Sequence, residues 1–182
     1  MTGRSEAYGS AAIAMHWATA LLIVGDFAFG LYFIDLPLSP QKLRYFAWHK
    51  WAGALVLLTG AGLLAARWLR APPSLPTSMP HWEKRLSRLT QVILYLLLFL
   101  APLSGWLYSS AAGFQTVLFG VLPIPDIVGR DRGLAEALRA LHRAINYTLA
   151  AVVAIHGLAA LKHRFVDRDE VLAYMLPFLR KP

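Results

Sequence analysis

The sequence predicts an all-α integral membrane protein, a bundle of four helices, and three observations carry that expectation. Hydrophobic residues make up 57% of the chain and charged residues 15%, with a mean hydropathy of +0.49, too apolar for a soluble domain of this size. The 182 residues hold four apolar stretches, each long enough to cross a hydrocarbon layer about 30 Å thick, so lipid is the expected solvent. The net charge of +8 comes from Lys and Arg that flank these stretches. That is the arrangement that orients spans, not a basic stripe for nucleic acid.

Taken in order, residues 1–10 are short and polar, and the apolar run after them is too long for a cleavable signal. The first span covers residues 11–34 with His16 near its start, and Pro37 and Pro40 mark the turn that follows. The second covers 45–66, with His49 near its start and Arg67, Trp68 and Arg70 closing it. Residues 71–88 form a polar connection, rich in proline and then basic at Lys84, Arg85 and Arg88; His81 within it reads as an ordinary surface residue. The third span, 89–108, has no histidine, and Pro102 is expected to kink it. In the loop after it, T-V-L-F-G-V-L-P-I-P is too short to span and is expected at the membrane interface. The fourth span covers 136–162, and the amphipathic V-L-A-Y-M-L-P-F-L-R-K-P ends what reads as one domain over 1–182.

With four spans both termini share a side, and that side carries eleven of the 18 Lys and Arg, among them Arg4, Arg180 and Lys181. The bias places both termini in the cytoplasm. Most of the six tryptophans fall near span ends, as an aromatic belt requires.

The histidines supply the chemistry. His142 and His156 are fourteen residues apart on the fourth span, roughly 21 Å along the axis and about 40° in rotation. His16 and His156 therefore lie near the inner surface, and His49 and His142 near the outer one. A lone histidine on an apolar helix is more often a hydrogen-bonded core residue than a ligand. Four of them, paired at two depths across three helices, point to bis-histidine haem ligation at both ends. Absence of cysteine excludes iron–sulfur clusters and covalent haem attachment, leaving two b-type haems enclosed by the bundle. Zinc fits poorly, since pairs so far apart cannot share an ion and two nitrogens rarely complete its tetrahedral shell; a histidine-bearing metal carrier is the remote alternative.

H-W in the first span, W-H-K-W-A-G in the second, L-A-P-L-S-G in the third, the F-G-V-L-P-I-P loop, and L-H with I-H-G-L-A-A-L-K-H in the fourth together resemble the bacterial cytochrome b561 family over essentially the whole chain. The resemblance implies a cytochrome of the bacterial inner membrane. By position, His16 and His156 would ligate the cytoplasmic-side haem and His49 and His142 the periplasmic-side one. One branch of the family oxidises superoxide and passes the electron to ubiquinone, which makes a superoxide:quinone oxidoreductase the leading reading. The alternative is a di-haem electron carrier serving another redox protein.

Further residues carry narrower expectations. His163, two turns beyond His156, is a candidate hydrogen-bond or proton donor to quinone; the alternative is a surface histidine binding lipid phosphate. Lys50, Arg139 and Arg143 are candidates for attracting a small anionic donor such as superoxide, with Lys42 and Arg44 close by, although cations there also suit haem propionates. Asp26 sits near the membrane midplane, where a charge is expensive; a proton relay and a hydrogen-bonded carboxyl are equally open. Gly25, Gly30, Gly53, Gly60 and Gly62 would allow close approach of a macrocycle or of another helix.

Overall fold

A computed structural model describes residues 8–179; Arg4, Arg180 and Lys181, counted above for orientation, lie outside them. Four helices dominate: α1 (Ser10–Ile34), α2 (Pro40–Leu69), α3 (His81–Ala111) and α4 (Arg132–Lys162). Each is long and apolar enough to cross a membrane. Neighbours in sequence pack together from α1 to α4, and α1 meets α4 along a narrower seam, which closes the bundle. The interior is small. Leu97, Ala101 and Leu149 form its buried centre, with Ile23, Ile93 and Ile145 packed against them. Large apolar side chains such as Leu58, Leu96 and Leu158 face outward, as they should where lipid replaces water.

The helices run past the apolar spans, because a helix ends at its cap and not where the lipid ends. α2 begins at Pro40, whose missing N–H costs nothing in the first turn, after Ser39 Oγ accepts from Lys42 N at 3.2 Å. α4 begins after Asp131, whose carboxylate accepts from Leu134 N at 2.8 Å. α3 starts at His81 and so absorbs the basic residues assigned above to a connection; it also continues through Pro102. The interior glycines divide in the same way. Gly60 faces Leu98 and Gly53 faces Pro102, which is helix packing, whereas Gly30 faces the His49 ring.

The apolar loop expected at the interface is a β-hairpin, β1 (Thr116–Leu118) paired antiparallel with β2 (Leu122–Ile124). Phe119 and Gly120 at its tip both take left-handed conformations, with φ of 51° and 75°, and Val121 N donates to Leu118 O at 3.0 Å. Two successive positive φ values match the strand twist of a tight hairpin. The hairpin and the α1–α2 turn mark one end of the bundle, the hairpin face. At the other end, the terminal face, α4 runs into a π-helical turn (His163–Asp167) and two 3-10 turns (Leu172–Tyr174 and Pro177–Leu179).

Candidate functional site

The four span histidines meet in two pairs. On α1 and α4, the rings of His16 and His156 lie 6.4 Å apart between centroids; on α2 and α4, those of His49 and His142 lie 6.2 Å apart. One iron between two imidazoles, each nitrogen about 2 Å from the metal and about 1.2 Å from its own ring centre, sets the centroids about 6.3 Å apart. Both pairs have that spacing. Along α4 they are separated by roughly 21 Å of helix rise.

The donor chemistry agrees with the spacing. His49 Nδ1 donates to the Asp26 carboxylate at 2.8 Å. His142 Nδ1 lies 2.9 Å from Ser104 Oγ and 3.1 Å from the Ala101 carbonyl, and Ser104 Oγ itself donates to that carbonyl at 2.7 Å. With Nδ1 carrying the proton in both rings, Nε2 is the nitrogen left for a metal. At His142 the Asn146 amide, held by the His142 carbonyl at 2.8 Å, lies 3.3 Å from Nε2. A cleft lined by Asp26, His49, Gly53, Pro102 and His142 opens on this pair. At the other end, among the described residues, His16 Nδ1 is buried without a hydrogen-bond partner. Buried polar atoms are normally satisfied, and an orphan at this pair suits a missing group. The residues fit two bis-histidine haems.

Near each pair in sequence a tryptophan holds a segment at that end of the bundle. Trp17, next to His16, donates from Nε1 to the Met175 carbonyl at 2.9 Å and fixes the C-terminal turns over the terminal face. Trp51, two residues after His49, donates to the Val117 carbonyl at 2.8 Å and packs on Phe119, fixing the hairpin. An aromatic belt describes their depth; the structure adds a fastening role that no sequence signal separates from it.

The cations expected around the outer pair are not gathered into one cluster. Lys50 donates to the Phe114 carbonyl at 2.9 Å, and Lys42 to the Ile34 carbonyl at 2.7 Å and to that of Leu36. Arg143 lies 5.7 Å from the Tyr147 ring centre, a cation–π distance. Arg139 joins Arg130 and Arg132, two residues not singled out in the sequence, around a cleft of about 250 Å³ beside Tyr108.

His163 opens the π-helical turn. Its Nδ1 lies 2.8 Å from Asp169 and 3.1 Å from Asp167, brought there by the wide turn and by Arg168 at φ 56°. Glu83, His163 and Asp167 present ligand atoms within 4.8 Å of one another, the spacing of a cation site. Lys162 already bridges Glu83 at 2.9 Å and Asp167 at 2.8 Å, so an ammonium supplies the positive charge there.

The pattern of prokaryotic cytochrome b561 matches residues 7–178. Among curated proteins, cytochrome b561 homolog 2 of Escherichia coli K12 is 31% identical, the match covering 96% of this chain and 94% of that one. The probable superoxide oxidase CybB of Yersinia pestis is 25% identical over 93% of this chain and 96% of its own, and cytochrome b561 homolog 1 of E. coli K12 is 25% identical over 91% and 94%. From its helices, its paired histidines and this match over nearly the whole length, the chain belongs to the prokaryotic cytochrome b561 family, bacterial membrane proteins of electron transfer whose membership implies b-type haem.

Proposed function

We propose that this protein oxidises superoxide at the hairpin face, taken as periplasmic, and reduces ubiquinone at the terminal face, taken as cytoplasmic. The observation that carries the reading is the pair of facing histidines near each end of α4, at the spacing of one iron each. When bound, two b-type haems supply reversible single-electron transfer between the two faces. In the overall reaction two superoxide ions lose one electron each and leave as dioxygen, and ubiquinone takes both electrons and two protons to become quinol.

The chain's own residues divide the remaining work. His16 with His156 and His49 with His142 would each hold one haem, and a haem held by two imidazoles would serve electron transfer and not oxygen activation. At the hairpin face Arg139 and Arg130, with Arg132 paired to Glu136 at 3.2 Å, leave the cleft a net positive field for a small anion, to which Lys50 and Arg143 add charge. At the terminal face His163 has Nδ1 committed to Asp167 and Asp169, so Nε2 is the nitrogen left for a quinone oxygen, to which it donates when the ring carries both protons. Two carboxylates within 3.1 Å of its ring disfavour the alternative of lipid phosphate. The superoxide oxidase name of the Y. pestis relative supports the same assignment.

The test is purified haem-loaded protein with a soluble ubiquinone, superoxide being generated steadily by xanthine oxidase. Quinol formation that superoxide dismutase abolishes is expected. Reduction by a partner redox protein, with superoxide inert, would return the electron-carrier alternative.

A further inference from the structure

Asp26 is a carboxylate within a membrane span, at a depth where an unpaired charge is expensive. Its side chain is 13% exposed, and among the described residues its ion-pair partner is His49, with Oδ1 at 2.8 Å from Nδ1. Among the described residues the other three candidate ligands have no such partner: His142 Nδ1 faces a hydroxyl and a carbonyl, His16 Nδ1 is orphaned, and neither His16 nor His156 pairs with a carboxylate. One histidine of four is thus held by a negative charge, and it belongs to the hairpin-face pair.

We propose that Asp26 is a positioning residue that holds His49 by Nδ1 and makes the hairpin-face haem the lower-potential one, so that electrons run downhill toward the terminal face. The proposal rests on ligation of that haem by His49 and His142. A carboxylate on the far nitrogen fixes the ring orientation and raises the basicity of the ligating nitrogen. It also places negative charge near the iron in a medium of low dielectric, where such charge acts strongly. Both effects favour ferric over ferrous iron, and hydrogen bonding to an axial ligand is an established lever on haem potential. A proton-relay role for Asp26 would leave the potentials where they are.

The experiment is a redox titration, with low-temperature EPR, of the purified haem-loaded protein and its Asp26→Asn and Asp26→Glu variants, with haem counted as the pyridine haemochrome. Asp26→Asn keeps size and an acceptor oxygen but removes the charge. One of the two potentials is expected to rise by at least a factor of ten in the exchange equilibrium between the haems, which is 59 mV for one electron. The second potential should stay, and the ferric EPR signal of one haem alone should change. Asp26→Glu restores the charge and should stay within that factor of the parent. Unmoved potentials in Asp26→Asn, or an equal shift in Asp26→Glu, would overturn the proposal. Loss of one haem from Asp26→Asn but not from Asp26→Glu upholds it, and loss from both overturns it. His49→Ala run alongside separates the two levels: if it retains two haems, the ligand assignment itself fails.

Discussion

Gly105 is the point where helix α3 approaches His142, and adding one methyl group there tests the geometry of that pair. A Cβ on Gly105 would lie 2.9 Å from Cε1 of the His142 ring and 3.3 Å from Nδ1. Carbon atoms are comfortable from about 3.5 Å, so the ring must retreat by about 0.6 Å. It has little freedom to do so, because Nδ1 is bound to Ser104 Oγ and the Ala101 carbonyl, both on the helix that carries the new methyl. Over-packing of this kind costs about 1–3 kcal/mol. If the strain falls on His142, the hairpin-face haem should be held about 5-fold to about 140-fold more weakly in Gly105→Ala, at about 1.4 kcal/mol per factor of ten. Transfer of haem to apomyoglobin measures this directly: one haem should leave faster and the other at the parental rate. Gly60→Ala is the control, because its Cβ would meet Leu98 at an ordinary 3.8 Å. Parental release of both haems from Gly105→Ala would refute the placement of His142.

Other substitutions separate the two ends and the two substrates. His49→Ala or His142→Ala should remove the hairpin-face haem alone, and His16→Ala or His156→Ala the other; loss of both from a folded single variant, or of neither, breaks the pairing. His163→Ala should slow quinone reduction at unchanged haem content, and full turnover at limiting quinone would take His163 out of that site. Neutralising Arg139 as Arg139→Gln should lower the superoxide rate and flatten its dependence on ionic strength, an effect up to about tenfold at low salt; a rate indifferent to both points to a neutral or docked donor. Trp51→Phe deletes the N–H held by Val117 and about 1 kcal/mol of anchoring. Hydrogen exchange across residues 116–124 should quicken with haem retained, and unchanged protection would mean that the hairpin is held by other contacts.

The histidine pairs were legible because depth in a helix is a count of residues, and depth alone sorts four histidines into two levels. Helix type was equally plain from composition. Helix ends were not, since an apolar run stops with the lipid whereas the backbone goes on to its cap at Ser39 or Asp131. The hairpin looked like a short interfacial run because its strands are three residues each and its turn is made by the unusual conformation of Phe119 beside Gly120. The partner of Asp26 lies 23 residues away on another helix. Sequence gave the depth of both residues but not the rotation of α1 against α2, which decides whether they touch. Lys50 was read by its position next to His49, yet its long side chain reaches the loop carbonyl of Phe114.

The proposed pair of bis-histidine haems, one at each end of α4, is what the other predictions depend on. The most direct measurement is the haem-to-protein ratio of the purified protein together with the EPR spectrum of its oxidised form. Two b-type haems per chain, both low-spin with no open iron position, are expected. A single haem per chain, or a high-spin ferric signal from an iron lacking one histidine, would contradict it.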